Sequence, residues 1–492
     1  MIFSSKTLLL LSWTGSAYSA PQAEPRIKYG GNQGPIGGVT PPVTGVQVPV
    51  GSLRGDSSLL GGNAPLPDVT VQDGGSVQDP TLVPGQSADA DLGLYLDLNS
   101  VEKPVPLRGS SGSATADGAR TYQYEKLNPD LFAPPGTDAG SVPNAVWPMG
   151  LSHNRFGTGT RSGWARQQNT DVLPAATSMA GVDMKLAPHA YRELHWHTAA
   201  EWALVLRGCV RVAAINDESQ TFTDDLCAGD VWFFPAGVPH SIQAFADGVE
   251  FLLVFDQGDF DENGTFLVSE MFARTPTSVL AKNFDAPVDA FKDIPRGELY
   301  IFNGTPQPDD IGKQNVTGPA GAVAPAHAYT YHWSRQAPFE TPGGTVKILD
   351  PTTFPAAAGF SAALVTVRPG AMREMHWHTS SDEWDYFLEG AGRATVYKAP
   401  DAGRTFDFTA GDVGYIPRAA AHYVENTGTE DLVFLEVLLA PKFTDISVAQ
   451  WLALTPKQTV KDHLNLPDSL LDNLPKQKTI LKQGNPNMTA VD

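Results

Sequence analysis

A histidine-containing segment that occurs twice constrains this chain more strongly than any other feature. Residues 192–197 read Arg-Glu-Leu-His-Trp-His, and residues 373–378 read Arg-Glu-Met-His-Trp-His. Each copy is followed by a glutamate, and then by a Gly-Asp pair that opens an apolar run ending in a further histidine. The offset between the copies is 181 residues at their first histidines. A repeat of this size indicates a duplicated domain.

The residue types in each copy are those of a metal site. Side chains alternate between the two faces of a strand, so His195 and His197 point to one face and Trp196 to the other. Three imidazoles and one carboxylate suit a borderline or hard divalent ion, and an octahedral ion would keep positions open for chemistry. The candidate ligands are His195, His197, Glu201 and His240 in the first copy, and His376, His378, Glu383 and His422 in the second.

A lone histidine in a strand is usually no more than a hydrogen-bonded polar residue. This chain has 11 histidines, however, and six of them fall at matching spacings in the two copies, which favours the metal interpretation. Trp196 and Trp377 are expected to pack on the outer face of their strands. The ligand set does not identify the metal, because iron, copper, nickel and zinc bind the same residue types.

Composition favours an all-β protein with more than one domain. The 492 residues include 47 glycines and 40 prolines, and many short apolar runs lie between turn signals, as in sandwiches and barrels. The net charge of −20 disfavours nucleic acid and anionic membrane surfaces as partners.

The N-terminal residues predict export. Lys6 precedes a short apolar run, 7–13, and Ala17-Tyr18-Ser19 supplies small residues for cleavage, so residues 1–20 are interpreted as a secretory signal peptide. This run is too short to span a bilayer, and no other stretch is long enough. The remaining predicted segments are a Gly/Pro-rich leader (21–85), an N-terminal arm (86–150), the first β domain (151–300), a linker (301–325), the second β domain (326–466) and a loose polar tail (467–492).

Two further features depend on this expectation of secretion. The sequons at Asn263, Asn303, Asn315 and Asn487 become possible glycan sites. The only two cysteines, Cys209 and Cys227, either form a disulfide in an oxidising compartment or remain buried free thiols.

The order and spacing of these motifs resemble the cupin signature. His-x-His and the glutamate are followed by a glycine (Gly208 or Gly390), and then by Gly-x5-Pro and the last histidine. The resemblance implies two tandem jelly-roll barrels (double-stranded β-helices), each with a short C-terminal helical segment. Two departures are His189, where Gly370 keeps the expected glycine in the second copy, and Ala419, where Gly237 keeps it in the first.

From about Pro104 to Leu466 the chain is similar to the bicupin oxalate decarboxylases. The phrases that carry this likeness are Arg-Glu-Leu-His-Trp-His, Pro-His-Ser-Ile-Gln and His-Tyr-Val-Glu-Asn-Thr-Gly. The resemblance implies one manganese ion in each cupin. It also implies conversion of oxalate to formate and carbon dioxide, with dioxygen required but not consumed, and a homo-oligomer (trimer or hexamer).

The resemblance also assigns catalytic residues in the first copy. Arg192 matches an arginine that faces the site and polarises a substrate carboxylate, although its parity along an ideal strand requires a bend or bulge. Glu262, in the Gly/Asn/Asp-rich stretch 261–265 that reads as a mobile lid, matches the glutamate that handles the two proton steps. The alternative for Arg192 is a surface or domain-contact ion pair. The alternative for Glu262 is a solvated acidic turn, and only the resemblance favours a catalytic role for it.

The second copy is expected to differ. Arg373 holds the place of Arg192, and Glu436 matches Val254 of the first copy, whereas the place of the lid falls near 442–444 with no acid. We therefore expect turnover at the first site and a structural or weakly assisting role for the second. The alternatives are an oxalate oxidase that gives hydrogen peroxide, a bicupin dioxygenase acting on an aromatic substrate, and a storage or metal-binding protein without activity.

Overall fold

The computed structural model describes residues 70–72, 76–78 and 136–484. The predicted signal peptide and most of the predicted leader and arm lie outside these residues. Both β domains belong to one compact unit, residues 50–492. Among the described residues, no helix is both long and apolar enough to cross a membrane.

The described residues form short strands for the most part. The strands are β1 (Thr70–Gln72), β2 (Ser76–Gln78), β3 (Val146–Pro148), β4 (Arg155–Phe156), β5 (Gly163–Gln168), β6 (Ala180–Leu186), β7 (Ala190–Trp196), β8 (Glu201–Ile215), β9 (Thr221–Cys227), β10 (Val231–Phe234), β11 (His240–Phe255), β12 (Phe266–Leu267), β13 (Ile301–Asn303), β14 (Thr330–Tyr331), β15 (Phe339–Thr341), β16 (Gly344–Leu349), β17 (Ser361–Val367), β18 (Met372–Trp377), β19 (Glu383–Glu389), β20 (Ala391–Lys398), β21 (Ala402–Thr409), β22 (Asp412–Ile416), β23 (His422–Asn426), β24 (Leu432–Leu438), β25 (Ile446–Ser447) and β26 (Leu481–Lys482).

Short helices follow the last long strand of each β domain. They are α1 (Val268–Arg274), α2 (Thr277–Asn283), α3 (Val448–Ala453), α4 (Lys457–Leu464) and α5 (Asp468–Leu471). The prolines before α2 and α4, Pro276 and Pro456, are compatible with a helix start and not with a helix interior. They therefore divide each helical segment in two.

The strands pair antiparallel in both domains. In the first, 11 strands form one sheet with the order β14-β10-β8-β11-β6-β5-β4, to which β7, β9, β12 and β13 are added at the sides. In the second, seven strands (β15-β16-β17-β24-β19-β22-β3) and six strands (β21-β20-β23-β18-β25, with β26 on β18) form two sheets. Each domain thus has the strand-dominated architecture expected of a cupin.

The two domains exchange short edge strands. Strand β3, from the predicted arm, pairs with β22 of the second domain. Strand β14, which the sequence places in the second domain, pairs with β10 of the first. The predicted linker is not free of strands either, because β13 pairs with β7. The domain boundary is therefore less sharp in space than along the chain.

Residues 467–484 of the predicted loose tail are structured and belong to the second domain. Helix α5 and strand β26 lie within it, β26 pairs with β18, and Leu481 is buried in the core of that domain. The prediction of a loose segment was wrong over these residues, because polar composition gave no sign that Ile480 and Leu481 pack on this core.

The two positions where the cupin glycine is missing keep the backbone conformation that favours glycine. His189 has φ of 60° and Ala419 has φ of 64°, close to 70° at Gly370 and 78° at Gly237. Left-handed backbone costs a residue with a Cβ about 1–2 kcal/mol. The turn geometry is thus retained at some cost in stability.

Cys209 and Cys227 form a disulfide. They lie directly opposite each other on the paired strands β8 and β9. This resolves the alternative left open by the sequence in favour of a bond and against two free thiols.

The domains pack through a continuous apolar cluster. Trp202, Leu204 and Val254 of the first domain belong to the same cluster as Trp384 and Tyr386 of the second. The indole of Trp384 donates to the Gln168 side chain at 2.7 Å, and it lies so close to Gly181 that a Cβ there would meet it at 2.3 Å. Close backbone approach at Gly181 therefore makes this contact possible.

A buried carboxyl group lies beside this interface. Asp183 is 3% exposed and is 3.6 Å from the guanidinium of Arg166. Burial, and then the neighbouring Glu250 carboxylate, raise the pKa of Asp183 to about 8. The folded protein therefore keeps this carboxyl protonated at a pH where the unfolded chain has lost the proton.

We predict that Asp183 makes the protein less stable as the pH rises from about 4 to 8, by at most about 1.4 kcal/mol per pH unit. The folded state binds the extra proton in this window, so raising the pH favours unfolding. The Asp183→Asn variant cannot ionise and should show a smaller fall in thermal unfolding midpoint between pH 5 and pH 8. The exposed Asp171→Asn variant is the control, and equal falls in all three proteins would contradict the prediction.

Candidate metal centres and catalytic site

A β-bulge brings the arginine and the paired histidines of each copy into one interior. His195 on β7 lies opposite His240 on β11, and Arg192 lies opposite Ile242. The two pairs are three residues apart on β7 but only two apart on β11, so β7 contains one extra residue. The extra residue breaks the alternation of side chains. Arg192 and His195 are accordingly both buried, at 1% and 3% exposure. The same irregularity separates Arg373 from His376 on β18.

The structure brings all eight predicted metal ligands into two groups. In each group the candidate ligand atoms lie within 4.8 Å of one another, and all the residues are buried. The first group comes from β7, the turn that follows it, β8 and β11, and the second from β18, the turn that follows it, β19 and β23. The groups are His195, His197, Glu201 and His240, and His376, His378, Glu383 and His422.

Backbone carbonyls fix the tautomer of all six histidines. Each Nδ1 lies 2.6–3.0 Å from a carbonyl oxygen. Since a carbonyl only accepts hydrogen bonds, Nδ1 must carry the proton, which leaves the Nε2 lone pair for a metal. In the first group, for example, the Glu193 carbonyl accepts from His195 at 2.6 Å.

The unsatisfied atoms of these groups fit a bound cation. Nε2 of His240, His376 and His422 and both carboxylate oxygens of Glu383 are buried without a hydrogen-bond partner among the described residues. Burial is the largest cause that lowers the pKa of His195 and His376 well below the ordinary value. Neutral imidazoles and buried unpaired lone pairs are what a divalent ion requires.

Glu262 lies beside the first group and is held inward. It begins a 3-10 turn, residues 262–264, and is 5% exposed. One of its carboxylate oxygens accepts from Arg192 Nη2 and from the Tyr300 hydroxyl, each at 3.1 Å. Burial, and then the Glu262 carboxylate, raise the pKa of Tyr300 well above its ordinary value, so the phenol stays protonated and donates.

The lid is a capped turn in this structure. Asp261 caps it by accepting from the backbone N–H of Asn263 at 2.8 Å. Sequence reasoning found Glu262 through a resemblance but missed Tyr300. Tyr300 lies outside the repeated motifs, so comparing the two copies gave no sign of it. Its counterpart is Ile480, because the carbonyls of the two residues accept from the N–H groups of Glu193 and Glu374 respectively.

The second group has a different set of neighbours. Arg373 donates to Glu436 at 3.2 Å and to Asp445 at 2.5 Å, and Lys478 forms an ion pair with the same Asp445. The prediction that no acid stands at the lid position of this copy was therefore wrong. Asp445 lies one residue beyond 442–444, the place that the spacing from His422 predicts for the lid. Burial is the largest cause that raises the pKa of Glu436.

The two metal-binding glutamates are supported in different ways. In the first copy, the indole of Trp232 donates to the Glu201 side chain at 2.7 Å. The matching position in the second copy is Gly414, where an added Cβ would lie 3.1 Å from the Asp385 carboxylate. Burial, then Glu383 and Glu436, raise the pKa of Asp385 well above its ordinary value. Both Trp232 and Asp385 could have been found by aligning the copies, where Trp232 faces Gly414 and Asp385 faces Ala203.

The two tryptophans of the repeated segment pack as expected, away from the metal ligands. Trp196 stacks on Phe266 with 5.5 Å between ring centroids. Trp377 packs edge-on against Trp451 at 5.7 Å.

Comparison with known proteins agrees with this geometry. The Cupin family model matches residues 155–289 and 332–468. Oxalate decarboxylase OxdC of Bacillus subtilis is 44% identical over 375 residues, which cover 76% of this chain and 96% of the relative. A probable oxalate decarboxylase of Arthroderma benhamiae is 39% identical over 402 residues, covering 81% and 97%.

Solved structures lead to the same family. Oxalate decarboxylase from Bacillus subtilis at pH 4.6 is 43% identical and superposes with a TM-score of 0.73, covering 78% of this chain and 98% of that one. A structure from work on the Mn(II) centres of the same enzyme matches equally, with 100% of its chain covered. With two cupin domains, two three-histidine and one-glutamate groups, and relatives matched over almost their whole length, the chain belongs to the oxalate decarboxylase family of bicupins.

Proposed function

We propose that this protein is a manganese-dependent oxalate decarboxylase that converts oxalate to formate and carbon dioxide at the first cupin. The observation that carries the proposal is the buried ion pair of Arg192 and Glu262, 3.1 Å apart, beside a metal-binding group. It provides a cationic site, a fixed guanidinium and a proton carrier in one interior, which a small dicarboxylate requires.

Arg192 is suited to hold the substrate. Its Nη2 is paired with Glu262, but Nε and Nη1 are buried without a hydrogen-bond partner among the described residues. Each of these two nitrogens can donate a charge-assisted hydrogen bond to a carboxylate oxygen. We therefore assign Arg192 to a substrate carboxylate, which it orients and polarises.

His195, His197, Glu201 and His240 would hold the manganese ion of the first cupin. When bound, manganese together with dioxygen supplies the one-electron chemistry that weakens the carbon–carbon bond of oxalate, and dioxygen is not consumed in the net reaction.

Glu262 is suited to carry the proton. As a carboxylate it accepts the proton of hydrogen oxalate, and after carbon dioxide has left it returns that proton to the remaining carbon, which becomes the C–H of formate. Tyr300 and Arg192 hold the carboxylate in place throughout. If this proton is not returned, the fragment gives its electron to dioxygen and leaves as a second carbon dioxide. Dioxygen has then taken both electrons of oxalate and, with two protons, becomes hydrogen peroxide, as in an oxalate oxidase.

Turnover is assigned to the first cupin because the arginine of the second is already occupied. Arg373 pairs with both Glu436 and Asp445, and Lys478 forms a further ion pair with the Asp445 carboxylate. A substrate anion would have to displace these buried partners, and the charges left unpaired would make that costly. A structural or weakly assisting manganese site is the role we propose for the second cupin.

We predict that Glu262→Gln abolishes formate production, with a loss of about 10²–10⁴-fold, because the amide cannot accept and return a proton. The measurement supplies oxalate in air at mildly acid pH and quantifies formate and hydrogen peroxide together, with manganese content determined for every variant. Glu436→Gln is the matched control and should retain formate production.

The outcomes of this assay separate the functions. Formate near one per oxalate from the wild-type protein supports the decarboxylase, and peroxide without formate would make it an oxidase. If the manganese-loaded protein gives neither product, the remaining functions are a dioxygenase and a storage protein without activity. If Glu436→Gln rather than Glu262→Gln abolishes formate, the sites have been assigned in reverse.

We propose that the protein is secreted and carries N-linked glycans. The sequence of residues 1–20 supports export, and a disulfide between Cys209 and Cys227 is compatible with an oxidising compartment. Asn315 is exposed together with its neighbours Val316 and Thr317. By contrast, the amide of Asn263 donates to Asp261 at 2.8 Å. The sequon at Asn487 lies outside the described residues.

We predict that expression in a secretory eukaryotic host yields a mature chain lacking residues 1–20, with a glycan at Asn315 and low occupancy at Asn263. Mass spectrometry before and after enzymatic deglycosylation measures both. The Asn315→Gln variant should lose one glycan mass. A chain retained in the cell with its N-terminus intact would contradict the proposal.

We propose that the chain forms a homo-oligomer, a trimer or a hexamer by family resemblance. Beyond the resemblance, the support is that both cupins expose large apolar side chains at equivalent places, as contact surfaces do. These residues are Leu194, Phe266 and Met271 in the first cupin and Met375, Ile446 and Trp451 in the second. Two related surfaces on one chain can pair head to tail and close a ring.

We predict a solution mass of at least three chains by light scattering, and a shift toward single chains in the Trp451→Glu variant. The reason is that Trp451 is 55% exposed and a charge at its position would be desolvated in a contact. The exposed Glu340→Gln variant, distant in sequence from both surfaces, is the control. A wild-type monomer at micromolar concentration would contradict the proposal.

A further inference from the structure

The peptide of Glu262 is held at both of its polar atoms by one hairpin. Its N–H donates to the side-chain oxygen of Gln167 at 2.9 Å, and its carbonyl accepts from Arg155 Nη1 at 3.0 Å. Arg155 lies on β4 and Gln167 on β5, and these two strands pair with each other. The hydrogen bonds are independent of those made by the Glu262 carboxylate.

Arg155 is itself fixed on its other side. Its Nη2 donates to Glu298 at 2.5 Å, and its guanidinium lies 3.8 Å from the centre of the Tyr300 ring. Arg192 approaches the same ring at 4.5 Å, so Tyr300 connects the residue that holds the lid peptide with the one that holds the lid carboxylate. Cation–π contacts of this kind favour one fixed position of the guanidinium.

The second cupin provides an internal comparison. The registers of β5 with β6 and of β16 with β17 align Gln167 with Ile348. The registers of β4 with β5 and of β15 with β16 align Arg155 with Phe339. The two residues that hold the lid peptide are thus both replaced by apolar ones in the second cupin, where Asp445 takes the place of Glu262 as the partner of the arginine. Their polarity is not required by the fold of the strands and accompanies the Glu262 turn.

We propose that Arg155 and Gln167, the lid clamp, are positioning residues that keep the Glu262 turn closed during turnover. They touch neither the metal ligands nor Glu262's carboxylate, and they act through the peptide that carries it. The inference rests on the proposed function, because closure matters only if Glu262 returns a proton before the remaining fragment is oxidised. The clamp thereby decides how often oxalate ends as formate and how often as peroxide.

The test uses the full-length, manganese-loaded protein and four variants. Arg155→Met and Gln167→Met each remove one hydrogen bond of the clamp with little change in side-chain length. Gln167→Glu keeps an acceptor at the same place. Arg161→Met removes an exposed arginine of the loop between β4 and β5 and is the matched control. Two measurements are made on each protein: the ratio of formate to peroxide, and amide hydrogen exchange of residues 261–265.

The clamp predicts a fall of about three- to tenfold in the ratio of formate to peroxide for Arg155→Met and for Gln167→Met, and exchange of the lid amides faster by a similar factor, since each loses one hydrogen bond. Gln167→Glu and Arg161→Met should behave as wild type in both measurements. A role limited to stability would accelerate exchange throughout the cupin and leave the product ratio unchanged.

Three results would overturn the clamp. They are an unchanged product ratio in both Met variants, unchanged exchange at 261–265, and faster exchange spread equally over β16 and β17 of the second cupin. A wild-type protein that makes no formate would instead refute the proposed function. The exchange measurement would then still decide whether Arg155 and Gln167 hold the turn.

Discussion

One extra residue in the strand that carries the paired histidines determines what surrounds the metal group. In a regular strand Arg192 and His195 would point to opposite faces, and no arginine would reach the interior. The bulge at Glu193 and Leu194 turns both inward, and Glu193 anchors it. Its buried carboxylate accepts from the Ser269 hydroxyl at 3.1 Å and from the Tyr300 N–H at 2.5 Å. Its carbonyl also fixes the tautomer of His195.

The second cupin contains the same bulge with the same anchor. Glu374 accepts from the Ser447 hydroxyl and from the Ile480 N–H, both at 2.9 Å. The strand that closes this site comes from the tail of the chain, whereas β13 in the linker closes the first. Duplication therefore preserved the frame, and differences between the sites arise from the residues that the frame presents.

Those differences have a common physical direction. Around the first group, Tyr300 and Trp232 are neutral donors that hold carboxylates without neutralising Arg192. Around the second group, additional ionisable residues fill the interior, and Arg373 is shared by two carboxylates. Arg373 has both Nε and Nη2 paired with carboxylates and only Nη1 without a partner among the described residues, so it has less to offer a substrate than Arg192. The same arrangement of strands thus supports one site that can bind an anion and one site whose charges are already paired with each other.

Much of the centre could be read from the sequence because its ligands are local. The two histidines are two residues apart and the glutamate follows a few residues later, so these side chains stay close in space whatever the rest of the fold. The third histidine lies on a nearby strand. The repeat then supplied a second, independent instance. Resemblance extended this reading to Arg192 and Glu262, although the spacing of Arg192 alone pointed away from the site.

Contacts between distant segments could not be read in this way. Arg155 and Glu262 are 107 residues apart, and Tyr300 and Glu262 are 38 apart, with no motif linking them. The ordered tail, the exchange of edge strands and the pairing of Asp445 with Arg373 depend in the same way on where strands return in space. Ligand chemistry is carried by short-range spacing, whereas the hydrogen bonds that hold the catalytic groups in place are made only when remote strands meet.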